Sequence, residues 1–182
     1  MKRNKKTDGL IRRAIPILSD AVGKKCWHVT AGGITAPQFS VALGRKIRRD
    51  RPLRTPQGSK AFQFYEGEIS FFIRCSWRLE SEKLVIASSD DAEKPVVLGL
   101  RRLAGKTLVD VKVEQPAWDL ILGFSGGLRL HVFCDVTNNS AIYLKNWHAR
   151  VGDTHVYAGP GINLNVEKGL LKGKRVALRN QV

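Results

Sequence analysis

Apolar and polar residues alternate around glycine turns along most of this chain, the pattern of antiparallel strands, and two stretches share one frame. Val22-Gly23-Lys24-Lys25-Cys26-Trp27-His28-Val29 and Ala104-Gly105-Lys106-Thr107-Leu108-Val109-Asp110-Val111 both read small or apolar, Gly, Lys, any residue, two apolar residues, any residue, Val. Further on, Gly67 precedes Cys75 and Gly126 precedes Cys134 by the same eight residues, and Trp77 and Trp147 follow the cysteines. These frames predict a mainly β fold with a minor α component. Two tandem antiparallel β-meander repeats, about 22–90 and 100–160, pack as one compact domain over 9–161. Strands are expected near 25–30 and 38–43, with 62–74 and 77–87 as a hairpin-like pair. The second copy places them near 107–113, 118–124, 128–134, 143–150 and 154–158.

One N-terminal helix opens the domain, because Leu10, Ile11, Ala14, Ile15, Leu18, Ala21 and Val22 keep helical spacing. Asp8 is placed to cap it and Gly23 to stop it. Pro16, inside the pattern, predicts a kink or a helix in two pieces. The first copy is longer than the second. Gly23 to Gly67 spans 44 residues, whereas Gly105 to Gly126 spans 21. The surplus is a basic insertion, 44–61, whose Pro52 and Pro56 predict a long exposed loop. A disordered basic arm (1–8) and a basic C-terminal tail (162–182), set off by Gly159-Pro160-Gly161, flank the domain.

At 182 residues and 43% hydrophobic, the chain can bury a core of its own. No run approaches the roughly 18 apolar residues needed to span a bilayer. Arg12, Arg13, Pro16 and Asp20 break the apolar stretch that a secretory signal would need. Three widely spaced cysteines make no disulfide framework, so a reducing, cytoplasmic location is expected. The net charge is +15. Residues 1–25 hold eight Lys/Arg against two Asp, 44–60 seven against one, and 164–182 five against one. The remainder is close to neutral. Charge segregated in this way fits a surface for a polyanion.

Catalytic and metal signatures are weak. Cys26 and His28 would share a strand face, but no Cys-x-x-Cys partners them. Cys75 and Cys134 sit in apolar runs and read as core thiols. The acidic cluster Glu80, Glu82, Asp90, Asp91 and Glu93 lacks a calcium-loop frame and reads as a solvated loop. Gly123-Phe124-Ser125-Gly126-Gly127 lacks the Lys-Ser/Thr ending of a phosphate loop and reads as a hairpin turn. Trp27, Trp77, Trp118 and Trp147 are either stacking platforms for single-stranded bases or core; the repeat frames favour core.

Leu103-Ala104-Gly105-Lys106, Leu120-Ile121-Leu122-Gly123-Phe124, Gly127-Leu128-Arg129-Leu130 and Trp147 resemble small uncharacterised bacterial β-rich proteins, some near toxin–immunity or defence loci. The resemblance covers about 100–160 and, more faintly, 22–90. It implies a fold and a context, and no reaction. The sequence therefore reads as a non-enzymatic binding module with no cofactor, metal, membrane or small-molecule substrate in view. Nucleic acid or a nucleoprotein complex is the expected partner. An immunity or accessory protein that binds an acidic protein is the alternative. The candidate contacts are Arg45, Lys46, Arg48, Arg49, Arg51 and Arg54 of the insertion, Lys2, Arg3, Lys5 and Lys6 of the arm, and Lys172, Lys174 and Arg175 of the tail.

Overall fold

A computed structural model describes residues 5–31, 38–53, 60–134, 145–159 and 163–169. The elements run α1 (Lys5–Ser19), β1 (Cys26–Thr30), β2 (Phe39–Arg48), α2 (Lys60–Phe64), β3 (Tyr65–Ile73), β4 (Ser76–Glu80), β5 (Val85–Ser88) and α3 (Glu93–Arg101). Then follow β6 (Leu108–Glu114), β7 (Asp119–Phe124), β8 (Leu128–Phe133), β9 (Trp147–Val151), β10 (Thr154–Ala158) and β11 (Leu164–Lys168). The fold is mainly β, as the alternation predicts. Two antiparallel sheets form, one ordered β1-β2-β3-β9-β10-β11 and the other β5-β4-β8-β7-β6.

The period-two pattern sets the inner faces. Ile69, Phe71 and Ile73 of β3 are buried in alternation with Ser70 and Phe72, as are Leu128, Leu130 and Val132 of β8. Residues from both sheets join one hydrophobic core. Trp77, Trp118 and Trp147 lie fully inside it, with Phe39 edge-on to Trp77 at 5.0 Å. Trp147 Nε1 and Cys134 Sγ both donate to the Trp118 carbonyl, at 2.8 and 3.2 Å. Cys75 and Cys134 are buried free thiols, as expected. Three of the four tryptophans are core; Trp27 is only half-buried.

Several expectations are corrected. The two halves do not form separate meanders side by side. β3 passes the chain to β4 in the other sheet and β8 passes it to β9 in the first, so each sheet mixes strands of both halves. The 62–74 and 77–87 stretches therefore do not pair with each other. Gly23 and Gly105 both have φ near +83°, and their segments bond reciprocally. Gly23 N donates to Leu108 O and Gly105 N to Cys26 O, at 2.8 and 2.7 Å. Gly67 and Gly126, however, differ: Gly67 lies within β3, while Gly126 turns between β7 and β8 at φ +80°. The structure does not confirm the duplication as the sequence reads it.

Helix α1 begins at Lys5, so residues 5–8 are helical rather than part of a disordered arm, and it runs through Pro16 as one helix. Pro16 has no N–H to donate to the Arg12 carbonyl, and both residues lie on the exposed side of the helix. Two further helices form. α3 starts where the acidic cluster was read as a loop, and it buries Val96 and Leu100. The insertion is not simply a loop, because Gly44–Arg48 extend β2. β11 occupies the start of the expected tail. No helix among the described residues is long and apolar enough to cross a membrane.

Candidate nucleic-acid interface

The candidate interface lies where β2 outruns its neighbour. β1 pairs with β2 only as far as Cys26 opposite Leu43, with Gly44 N donating to Lys25 O at 2.9 Å. Beyond that point Lys46, Ile47 and Arg48 pair, among the described residues, on one side only, with Gly67, Glu66 and Tyr65 of β3. A register shift between Leu43 and Lys46 bends the strand, and Gly44 takes φ +75° within it. Glu68 secures this bulge. Its Oε2 accepts the Arg45 N–H at 3.1 Å, and the carboxylate pairs with Lys24 at 3.3 Å and Arg45 at 3.6 Å. The Arg45 N–H is the main reason the Glu68 carboxyl lies below the ordinary range. A Cβ on Gly44 would meet Glu68 Oε2 at 2.6 Å.

Arg49 differs from the other insertion arginines. Its backbone N–H donates to Phe64 O at 2.9 Å, and its Nε donates to Phe62 O and Tyr65 O at 3.4 and 3.2 Å. Its Nη1 pairs with Glu66 at 3.0 Å, and Arg150 takes the same carboxylate at 3.2 Å while donating to Gly67 O. Only 18% of the Arg49 side chain is exposed. Arg49 clasps α2 to β3 and is not free for a phosphate.

Aromatic rings lie beside the remaining cations. The register of β1 shifts between Cys26 and His28, so Trp27 is the extra residue. Cys26 then pairs with Leu43 and His28 with Ala42, which places the two on opposite faces instead of the shared face expected for a ligand pair. Burial pushes the Cys26 thiol up to about 12. His28 stacks on Phe62 at 4.5 Å, and Trp27 lies 6.5 Å from Phe62. Lys46 Nζ and the Arg49 guanidinium sit 5.2 Å from the Trp27 and Phe62 ring centres. Phe64, Tyr65, Ile47 and Leu53 are exposed along the same segment, as are Arg45, Lys46, Arg48 and Arg51.

The chain matches no family model, no curated protein and no solved structure. The resemblance to proteins of toxin–immunity loci accordingly carries no weight in placing the site.

Next to the aromatic group, a cavity of about 490 Å³ lies between β1 and α3, lined by Trp27, His28, Thr30, Val97, Arg101 and their neighbours. Trp27 Nε1, His28 Nε2 and Thr30 Oγ1 are buried without a hydrogen-bond partner among the described residues. Burial lowers the His28 pKa, so its imidazole is neutral near pH 7. Of the candidate contacts, the structure brings Arg45, Lys46, Arg48, Arg49 and Arg51 together. Lys5 and Lys6 fall in the first turn of α1. Lys2, Arg3, Arg54, Lys172, Lys174 and Arg175 lie outside the described residues. Sequence reasoning missed Phe62 and Arg101.

Proposed function

We propose that the chain is a non-enzymatic binding module whose β2 rim takes single-stranded nucleic acid. The observation that carries this reading is the run of exposed cations along a segment with accessible rings: Lys46 against Trp27, Arg48 opposite Tyr65, and Arg45, Arg51 and Phe64 exposed on the same segment. Cations track a phosphate backbone while rings accept bases in any sequence. Charge on an open strand edge also blocks unwanted strand pairing. That role alone predicts no ligand, so binding measurements separate the two.

Anisotropy of labelled oligonucleotides at varied salt tests the proposal. If Arg45, Lys46, Arg48 and Arg51 each neutralise one phosphate, the log–log slope for a single strand is about −2.8. The triple variant Lys46→Ala, Arg48→Ala, Arg51→Ala flattens it by about 2. Trp27→Ala weakens single-strand binding about tenfold or more, and duplex binding less. Salt-insensitive binding, or none at low salt, removes the nucleic-acid reading and leaves the acidic protein partner of an immunity or accessory protein.

A further inference from the structure

On the outer face of the six-stranded sheet, Arg74 just after β3 and Lys145 just before β9 lie beside rings of β3 and β10. His148 on β9 lies opposite Phe72 on β3 and Tyr157 on β10, so the three share that face. The Arg74 guanidinium lies over Phe72 at 4.6 Å, and Lys145 Nζ lies 3.7 Å from the Tyr157 ring centre. Among the described residues neither cation forms an ion pair. Glu167, opposite His155, accepts a hydrogen bond from the Tyr157 hydroxyl and acts on Lys145 without forming an ion pair with it. Arg150 on the same face is already committed to Glu66.

Among the described residues, three buried nitrogens of this region have no hydrogen-bond partner: Arg74 Nε, Asn146 Nδ2 and His155 Nε2. Arg74 N donates to Asn146 O at 2.9 Å, which keeps those two residues adjacent. His155 is 6% exposed. Its Nδ1 lies 2.7 Å from His148 Nε2, so a single proton sits between the rings. Burial first, and then Lys145, hold both imidazoles below their ordinary pKa, so both are neutral near pH 7. When His148 Nε2 donates to His155 Nδ1, the proton of neutral His155 sits on Nε2 as a donor. Arg74 Nε and Asn146 Nδ2 are donors in either tautomer and His155 Nε2 is one in this tautomer, and buried donors left without an acceptor are costly. A metal cation carries the wrong charge beside Arg74, Lys145 and Arg150. Arg74 and Lys145, neither in an ion pair among the described residues and Lys145 only partly offset by Glu167, suit a phosphate anion.

We propose that Arg74, Lys145 and the His148–His155 pair bind a phosphate monoester or inorganic phosphate dianion. This site is separate from the β2 rim and does not depend on the nucleic-acid reading. The test follows the ring proton resonances of His148 and His155 by NMR during titration with inorganic phosphate, at ionic strength held constant with chloride. The expected result is a saturable shift of both rings while His131, on the other sheet, does not move. Arg74→Gln and Lys145→Gln each weaken the phosphate affinity about tenfold or more, with folding checked by circular dichroism. Further arms use an oligonucleotide with and without a 5′-phosphate. A response to free phosphate, to the phosphorylated end, or to both supports the site and identifies the source. No saturable shift with either phosphate probe overturns it. So does an oligonucleotide response indifferent to the end phosphate with none to free phosphate, or a phosphate affinity unchanged in both variants.

Discussion

Replacing Arg49 with alanine separates the structural arginine of the insertion from its neighbours. The wild-type side chain pairs with Glu66 at 3.0 Å and donates to the carbonyls of Phe62 and Tyr65. In Arg49→Ala, Glu66 keeps Arg150 at 3.2 Å, so its carboxylate is not orphaned. The loss is then below the 3–5 kcal/mol of a broken, fully buried ion pair and comparable to one hydrogen bond to a charged group, about 2 kcal/mol. For a chain of this size that lowers Tm by about 4–8 °C. Arg48→Ala and Arg51→Ala remove exposed side chains and change stability by about 0.5 kcal/mol at most. Arg49→Lys keeps the charge but loses the planar fork, and recovers part of the loss. Thermal melts followed by circular dichroism compare the four variants with the wild type. Arg49→Ala melting together with Arg48→Ala would refute the clasp and return Arg49 to the ligand-binding set.

Gly44→Ala forces a side chain into a φ of +75° and against Glu68, so it lowers stability by about 1–3 kcal/mol; an unchanged urea midpoint contradicts the bulge geometry. Burial, followed by Lys145, His155, Arg74 and Arg150, holds the His148 pKa at about 4. Because the unfolded chain then binds more protons between pH 6.5 and 4, the contribution is whole above pH 6.5 and lost as pH falls towards 4. Urea midpoints across that window fall in the wild type and fall less in His148→Gln; equal slopes contradict the assignment. Alkylation of native protein, read by mass spectrometry, is slow at Cys26, Cys75 and Cys134, since all three are buried; rapid labelling at any of them contradicts its burial.

Strands with one buried face announced themselves. β6, β7, β8 and β10 fall within about two residues of the alternation because Leu120, Leu122, Leu130 and Val132 sit at period two. The outer part of β2 did not, since Arg45-Lys46-Ile47-Arg48 buries nothing and its pairing is specified by β3. Helix α3 was hidden by the acidic residues before it and by Pro95, which a first helical turn tolerates. The spacing of Val96, Leu100 and Leu103 nevertheless carried a helical period. The exchange of strands between sheets was not legible, because partner choice depends on contacts far apart in sequence. Of the site, the positive charge was readable; the distinction between Arg49 and Arg48 was not, because only position separates two identical side chains.

The most direct test of the β2 rim is ultraviolet crosslinking of the full chain to a single-stranded oligonucleotide, with the crosslinked residues mapped by mass spectrometry. The account predicts adducts on Trp27, Phe64 or Tyr65, lost together with binding in the triple variant of Lys46, Arg48 and Arg51. Adducts confined to the tail around Lys172, Lys174 and Arg175, or undiminished in that variant, would contradict it.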